Sequence, residues 1–519
     1  MIIREDTKQK IQTLFFNKKN RHLYLLGIIV AIAVFFRFYN LPFRYGLGDE
    51  TIRDAVVGIE GARELQMPLT GPFSSTGPFT FGPWYYYQLI IATIIFPYNY
   101  TPWIYLGISS VISVLILYYI GKMLIEKYFG ILLSFLGAIS PTLVLSSTHL
   151  TNPNMTNVFA FASFAIFIKL IKENVSGWWA FLLGIVLGIA INIHYQMVGL
   201  LIFPLLLLVN KYKKFLYFIF TSVGIAVTFV PLLLWDLTNH WHNLRSILFY
   251  YMYGKNAIYV PNRWLFYIRD FWPSYWADVI GVPQIVASII IVFFLMVLGF
   301  MLLKKKVSLA MILVLFAFLF NFILLRYYWG ERLFGYLNHL RPFVLIFTGY
   351  TIWILYDIAA KVKYPYIKYL VLSVIIGVFF LIIPRSIERL EDPFSMEMYR
   401  QIAIVQEKYS HKTFTVYVCT NLKKNFYTPE AKSAIFLFDM NQTLSTSGIK
   451  LGIININCLY PETDLLKNDP FPIYPRIENT IFVDFSKASE SALKKAYWEP
   501  YTFKTIYDST TRWWFQEQP

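Results

Sequence analysis

Asp49 and Glu50 are two adjacent carboxylates near the start of the segment 46–66, GLGDETIRDAVVGIEGARELQ. A carboxylate held beside a substrate hydroxyl can take its proton and so act as a general base. The same residue types also suit the first turn of a helix, because Asp is a favoured N-cap and negative charge interacts well with the helix dipole. Local sequence leaves both interpretations open, catalysis and helix capping.

Arginine and histidine side chains supply a second kind of chemistry, the binding of a phosphate. Arg suits this task because its planar guanidinium can donate to two oxygens at once. Each such residue can instead be an interfacial side chain whose charged end reaches water. As a set, we expect these residues to bind a phosphate: Arg53, His149, His194, Arg332 and Arg341.

The segment 236–242, DLTNHWH, contains residue types that bind metal ions. We expect Asp236 and His240 to share a helix face, whereas His242 falls off that face and a fourth ligand is missing. An aromatic-rich turn at the membrane interface is the favoured interpretation, so we predict no metal site.

The elements that must position these residues are membrane helices. Of the 519 residues, 57% are hydrophobic and 15% charged, and the mean hydropathy is +0.51. A soluble protein of this length needs more polar surface, and several apolar runs are long enough to span a bilayer. The net charge of +16 comes from short Lys clusters between apolar runs, which is typical of cytoplasmic loops and does not indicate nucleic acid. The first apolar run follows a long basic lead without a small-residue cleavage site, so we predict a membrane helix there rather than a signal peptide.

Eleven apolar segments are predicted to cross the membrane, and a twelfth, 84–97, is short and opens with interfacial aromatic residues. If 84–97 lies along the surface and the N-terminus is cytoplasmic, all later Lys clusters fall inside, as the positive-inside rule requires. The predicted spans are 22–39, 103–121, 128–147, 155–171, 178–194, 196–210, 215–235, 283–303, 307–325, 343–360 and 366–384.

The outer side then receives most of the Arg and His residues. It holds the segments 40–102, 236–282 and 385–519 and the turns 148–154 and 326–342. Because Arg collects there while the inner loops are almost purely Lys, we expect the chemistry at the outer face of the cell membrane.

Two domains are predicted, a transmembrane catalytic domain at 1–384 and an extracytoplasmic α/β domain at 385–519. The second contains strand-like runs at 414–418, 450–456 and 480–485. It also contains Cys419 and Cys458, for which a disulfide and two buried thiols are both open.

The first outer segment is predicted to form two surface helices joined by a stiff loop. Ile52, Val56 and Ile59 recur at helical spacing, with charged residues elsewhere, which indicates an amphipathic helix at the membrane surface. The loop 68–83 has three Gly-Pro pairs and can form a lip over a groove, or can be an ordinary ordered loop.

Short motifs at fixed places in this topology resemble the GT-C class of polyprenyl-phosphate-sugar-dependent glycosyltransferases. Within that class the chain is similar to the protein O-mannosyltransferase and aminoarabinose-transferase-like group over about residues 20–385. The motifs are GDET at 48–51, GPWYYY at 82–87, AISP at 138–141, the turn 148–154, and YL at 336–337 followed by RP at 341–342.

The resemblance implies an active site between the first outer loop and the membrane, with Asp49 acting on an acceptor hydroxyl and Glu50 beside it. The turn 149–154, HLTNPN, lacks the carboxylate common in the group, and Phe81 stands where Lys or His is frequent. A second acid is therefore not expected, and the phosphate must meet other cations. The residues expected to contact sugar or acceptor are Tyr85, Tyr86, Tyr336, Asn152 and Asn154.

The predicted function is transfer of a sugar from a polyprenyl-phosphate carrier to a hydroxyl of a protein, lipid or glycan, with inversion at the anomeric carbon. No cofactor is required, although a divalent cation stays an alternative, and the other partners are membrane lipids. A transporter or flippase of a lipid-linked sugar is the competing function. It is disfavoured because the sequence shows no half-to-half repeat and its ionisable residues collect at one face.

Overall fold

A computed structural model describes residues 20–511, apart from short gaps. The gaps are 75–76, 210–212, 254–262, 329–331, 410–411, 420–428, 446, 456–479, 486–488 and 496–497. Cys458 and His411 lie outside the described residues, and Cys419 is described for its backbone alone.

The part before residue 390 is built from helices joined by loops, with one isolated β-bridge between Phe73 and Thr80 in the described residues. Its α-helices are α1 (Arg21–Phe38), α2 (Asp49–Glu64), α3 (Trp84–Ile95), α4 (Thr101–Leu124), α5 (Lys127–Ile139), α6 (Pro141–Leu145), α7 (Asn152–Lys172), α8 (Gly177–Ile193), α9 (Ile202–Leu207), α10 (Lys214–Thr238), α11 (His242–Tyr253), α12 (Arg263–Phe266), α13 (Trp272–Ile280), α14 (Gln284–Leu303), α15 (Leu309–Tyr327), α16 (Arg341–Lys361) and α17 (Pro365–Ile387). Short 3₁₀ helices lie at Leu41–Arg44, Tyr195–Leu201, Phe334–Tyr336, Asn338–Leu340 and Glu388–Leu390, and a π-helical turn lies at Tyr267–Phe271.

Among the described residues, eight helices are long and apolar enough to cross a membrane. They are α1, α4, α7, α10, α14, α15, α16 and α17. Three of the predicted spans correspond to shorter apolar helices, Lys127–Ile139, Gly177–Ile193 and Tyr195–Leu207. The chain is therefore a multi-pass membrane protein, and the number of eleven crossings stays a prediction.

The predicted span 128–147 is broken in the structure. α5 ends at Ile139 and α6 begins at Pro141, because proline lacks the N–H group and clashes with the preceding turn. The freed carbonyls are taken up by the buried guanidinium of Arg37, which donates to Gly137 O at 2.9 Å and also to Ala138 O. This explains a buried arginine at the end of α1.

α8 and α10 pack with their backbones in close approach. A Cβ added at Gly184 would lie 2.1 Å from Thr221 O, and one added at Gly224 would lie 2.4 Å from Phe181 O. Small residues at such positions let membrane helices gain packing contacts and short interhelical distances.

α3 does not run through the bundle. Its 12 residues extend about 18 Å, well short of the ~30 Å hydrocarbon core. On one side Gly82 donates its N–H to Asn192 O at 2.8 Å, and on the other Asn99 is hydrogen bonded to Asp439 of the C-terminal part. Both flanks of α3 thus lie at one end of the bundle, in agreement with a surface helix.

The C-terminal part after α17 is a small α/β unit, as predicted. Its elements are α18 (Pro393–Lys408), β1 (Phe414–Cys419), α19 (Pro429–Met440), β2 (Ile449–Asn455), β3 (Thr480–Asp484), α20 (Glu490–Lys495), β4 (Trp498–Pro500) and α21 (Phe503–Thr511). The strand order is β3-β2-β1-β4, with β1 and β2 parallel across α19 and the outer pairs antiparallel. The three predicted strands are confirmed, while β4, only three residues long, was not predicted.

α2 differs from the predicted amphipathic surface helix. Ile52, Val56 and Ile59 are buried as expected, but Asp54 and Glu60 on the other faces are buried as well. The reason is that α3 covers one side of α2 while α19 and α21 cover another. The expectation of a solvated polar face is therefore wrong for most of this helix.

The predicted domain boundary at 384 stays a prediction. α17 continues past it to Ile387, and the 3₁₀ turn Glu388–Leu390 leads directly into α18.

Candidate active site

The acidic pair lies at the N-terminus of α2. Gly48, with extended backbone (φ −149°, ψ 175°), is the N-cap, and Asp49 is the first helical residue. Asp49 is described for its backbone alone, and Glu50 is exposed. Gly48 holds the cap position, so Asp49 is not the N-cap, but Asp49 and Glu50 lie in the first turn, where negative charge interacts well with the helix dipole. Catalysis and stabilisation of the helix start both stay open for the pair.

Arg53 and Asp54 follow the acidic pair in α2 and form an ion pair with each other. Arg53 Nε and Nη2 each lie 2.8 Å from Asp54 Oδ1, and the Tyr86 hydroxyl donates to the same oxygen at 3.1 Å. Burial raises the pKa of the Asp54 carboxyl, while Arg53 and Tyr86 act in the opposite direction. Asp54 was missed in the sequence because a carboxylate between Arg53 and an apolar stripe resembles a solvated residue.

Tyr85 and Tyr86, expected to contact sugar or acceptor, are completely enclosed. Their side chains are 0% and 1% exposed and lie between α3 and α2. The Tyr86 hydroxyl donates to Asp54, and the Asp54 carboxyl also raises the pKa of Tyr85, after the larger effect of burial.

His149 brings the turn 148–154 against the residues that precede Asp49. A Cβ added at Gly46, where φ is +56°, would lie 2.5 Å from His149 Cδ2. Burial lowers the pKa of His149, Asp392 opposes this effect, and Arg44 and Arg389 add to it. Of the residues predicted to bind phosphate, His149 thus packs against the chain three residues before Asp49, and its burial favours the neutral imidazole.

Asn152 and Asn154 shape that turn. Asn154 Nδ2 donates to His149 O at 2.8 Å, and Asn152 Nδ2 donates to Ile193 O at 2.9 Å. Their amides therefore hold the backbone of the turn and tie it to the end of α8.

His194 and Tyr336 meet in an aromatic stack. The His194 ring lies 5.1 Å from Phe81 and 5.0 Å from Tyr336 between ring centroids. Phe81 stands where Lys or His is common in the group that the sequence resembles. Its ring stacks on the ring of His194.

Arg332 and Arg341 are engaged within the protein. Arg332 donates to Leu325 O at 3.1 Å, at the end of α15, and its guanidinium lies 5.6 Å from the centroid of the Tyr267 ring. Arg341 is 2% exposed and donates to Ser146 Oγ at 3.1 Å and Asn157 Oδ1 at 2.9 Å. Both side chains join helices, which limits their reach toward a ligand.

A cleft of about 480 Å³ that contains Arg245 and two histidines opens where α10 meets α11. The sequence signal for it is the spacing of His242 and Arg245, one helical turn apart. The lining residues are Pro78, Asn239, His240, His242, Arg245, Ser246 and Phe249.

The expectation that Asp236 and His240 share a helix face is wrong. α10 ends at Thr238, and His240 follows in a left-handed turn with φ +53°. The Asp236 carboxylate accepts the N–H groups of Asn243 at 2.7 Å and Leu244 at 3.1 Å, so it caps α11. Within the described part of the chain, no group of three metal-binding side chains is found.

Hydrogen bonds join these pieces at one end of the bundle. Leu47 N donates to Ser395 Oγ at 3.2 Å, and Thr80 N donates to Asn243 Oδ1 at 2.8 Å. The side chain of Asn338 donates to Pro153 O. Together with the packing of His149 against Gly46, these contacts link all five segments that were predicted to share one face of the membrane.

Part of the chain is similar to a known protein family. Residues 82–235 match a family model described as dolichyl-phosphate-mannose-protein mannosyltransferase. The matched segment is less than a third of the chain and begins after the acidic pair. No curated protein sequence matches the chain.

Solved structures show the same fold over most of the chain. ArnT from Cupriavidus metallidurans bound to undecaprenyl phosphate is 11% identical, with 88% of this chain and 97% of that chain covered and a TM-score of 0.56. The apo state of the same protein gives a TM-score of 0.54. The apo oligosaccharyltransferase of Archaeoglobus fulgidus is 14% identical, with 83% of this chain and 65% of that chain covered and a TM-score of 0.48.

The class predicted from the sequence is confirmed. The chain has the GT-C fold of ArnT, and residues 82–235 are similar to a family model described as a mannosyltransferase.

Proposed function

We propose that the protein transfers a sugar from a polyprenyl-phosphate carrier to an acceptor hydroxyl at the outer face of the membrane. The observation that carries the proposal is that the loop following α2 is hydrogen bonded, through Thr80 and Asn243, to the helix that lines a cleft with Arg245, in a bundle with the fold of ArnT. Both named likenesses concern lipid phosphates: ArnT was solved with undecaprenyl phosphate, and the family model is described by a dolichyl-phosphate sugar.

Asp49 is the general base in this proposal. It removes the proton from the acceptor hydroxyl as the oxygen attacks the anomeric carbon, and the bond between that carbon and the carrier phosphate breaks. Attack opposite to the leaving phosphate inverts the anomeric configuration. Glu50, exposed in the same turn, adds negative charge that assists proton removal.

The carrier phosphate binds in the cleft. His240, His242 and Arg245 supply hydrogen-bond donors there, and Phe249 supplies an apolar wall. Charge-assisted bonds to phosphate are among the strongest hydrogen bonds in proteins. Of the phosphate-binding residues predicted from the sequence, Arg53 follows Asp49 by one helical turn and His149 packs against Gly46, so both can assist, whereas Arg332 and Arg341 hold helices together.

The prenyl chain follows the apolar face of α11. Leu244, Leu248 and Met252 recur at helical spacing on this helix and are about half exposed. A lipid phosphate has an anion at one end of an apolar chain. This matches the side-chain donors that line the cleft and the exposed apolar residues next to them on α11. The outer-face location rests on the Lys clusters of the opposite loops.

The test is sugar transfer by the purified full-length protein in detergent, with a panel of polyprenyl-phosphate-linked hexoses and pentoses. We expect carrier-dependent turnover or donor hydrolysis that free polyprenyl phosphate inhibits. A folded protein that binds the lipid phosphate yet turns over no donor would reject the enzyme and favour a transporter.

A further inference from the structure

The C-terminal unit touches the chain immediately before the acidic pair. Ser395, which is fully buried, accepts the N–H of Leu47 at 3.2 Å and donates its own hydroxyl hydrogen to Asp392. Leu47 lies two residues before Asp49 in the chain. A displacement of Ser395 is therefore transmitted directly to the backbone that positions the proposed base.

Aromatic contacts strengthen the same junction. The Phe436 ring of α19 lies 6.2 Å from Tyr45 and 5.0 Å from Trp103 between centroids. Trp103 donates its indole N–H to Tyr45 O at 2.9 Å. The residues before α2 are thus enclosed between α4 and the C-terminal unit.

The other end of α2 is held by α21. Lys504 Nζ lies 2.5 Å from Glu64 Oε1, and the Tyr507 hydroxyl donates to Gln66 Oε1 at 2.9 Å. The Arg63 guanidinium lies 6.0 Å from the centroid of the Phe503 ring. The C-terminal unit therefore contacts α2 at both of its ends.

Apolar packing fills the space between these contacts. Ile52 and Val56 of α2 belong to one buried cluster with Phe436 and Ile506 of the C-terminal unit, and all four are 0% exposed. A 16-residue helix outside the hydrocarbon core derives most of its stability from such packing. α2 is consequently a shared element of both parts of the chain.

We propose that the C-terminal unit positions Asp49 by holding both ends of the α2 segment, with Ser395 as the positioning residue nearest the acidic pair. This inference rests on the proposed role of Asp49. It differs from acceptor binding by the C-terminal unit, because a positioning role changes kcat while acceptor binding changes the acceptor KM.

The test compares Ser395→Ala with Ser491→Ala in the full-length protein. Ser491 is a matched control, since it is exposed and hydrogen bonded within its own segment to Ser489. Tyr507→Phe, which removes one hydroxyl at the far end of α2, is a second and milder variant. The readouts are amide hydrogen exchange across residues 46–66, and kcat and KM for donor and acceptor.

For Ser395→Ala we expect exchange near Leu47 to rise on the order of tenfold and kcat to fall by a similar factor, with acceptor KM nearly constant. Ser491→Ala should match the wild type in both readouts. Unchanged amide hydrogen exchange in both Ser395→Ala and Tyr507→Phe would overturn the proposed positioning role of the C-terminal unit. A raised acceptor KM at constant kcat would overturn it as well. Failure of the proposed function gives a different result: the wild type would turn over no donor, while its amide hydrogen exchange could still be measured.

Discussion

Arg53 and Asp54 are neighbours in α2, and the Arg53 guanidinium places both Nε and Nη2 2.8 Å from Asp54 Oδ1. Asp54 is 1% exposed and receives a further hydrogen bond from Tyr86 of α3. The pair fixes the direction of Arg53 one helical turn after the acidic pair and joins α2 to α3. We expect the pair to matter for stability because it is buried, so that water cannot replace either charge when that charge is removed.

Asp54→Asn should destabilise the protein by about 3 kcal/mol, because it leaves the Arg53 charge without its partner in a largely buried place. Thermal unfolding in detergent measures this effect. Glu173→Gln is the control, since its pair with Lys169 has a Glu side chain that is 46% exposed and such pairs contribute at most about 1 kcal/mol. Equal losses in the two variants would show that burial of the Asp54 pair has no special energetic effect.

His149 should make stability fall as the pH is lowered below its ordinary pKa of 6.5. Burial lowers the pKa of His149 in the folded state, so the unfolded chain binds the proton first. The stability that neutral His149 provides is present above pH 6.5 and is lost as the pH falls from 6.5 toward the lower folded value.

The measurement is the difference in unfolding temperature between wild type and His149→Gln at several pH values between ~7.5 and ~5. Subtracting the two curves removes the pH dependence that the two proteins share. A difference independent of pH would contradict the account of His149.

The spans and strands were predictable because their signals are local. Apolar runs predicted the membrane helices, and the run at 414–418 predicted β1, since each depends on residues adjacent in sequence. The burial of Asp54 and Glu60 was not predictable, because it depends on α19 and α21, which lie hundreds of residues further along the chain.

Part of the candidate site was hidden for a different reason. Arg341 and Arg332 are residue types that bind phosphate, yet Arg341 Nη1 donates to Asn157 and Arg332 donates to carbonyl groups at the end of α15. Composition cannot tell a ligand-binding guanidinium from one that satisfies protein oxygens. Arg245 could have been found from its helical spacing to His242, and that spacing is the signal to use in similar chains.

The cleft makes a prediction about donor binding. Arg245→Gln should weaken binding of polyprenyl phosphate by about tenfold or more, because a charge-assisted hydrogen bond contributes ~1.5–3 kcal/mol. Arg269→Gln is a matched control, since Arg269 is 68% exposed and pairs with Asp270 outside the cleft. Equal affinity for the lipid phosphate in Arg245→Gln and wild type would exclude the cleft as the phosphate site.

The close approach of α8 and α10 predicts a large effect of a single methyl group. Gly184→Ala would place Cβ 2.1 Å from Thr221 O, so the helices must separate, and overpacking of this kind costs about 1–3 kcal/mol. Gly299→Ala in α14 has no atom within 4 Å of the added Cβ and serves as the control. Thermal unfolding of both variants is the measurement, and a stable Gly184→Ala protein would show that this interface tolerates expansion.

The most direct test of the account is the rate of sugar transfer by Asp49→Asn beside wild type and Asp270→Asn, an Asp→Asn control at a residue that pairs with Arg269 in the π-helical turn. Loss of a general base should lower kcat by ~10²–10⁴-fold while the carrier lipid still binds, and the wild-type product should have inverted anomeric configuration. Asp270→Asn should keep the wild-type rate. A folded Asp49→Asn protein that transfers sugar at the wild-type rate would contradict the central claim.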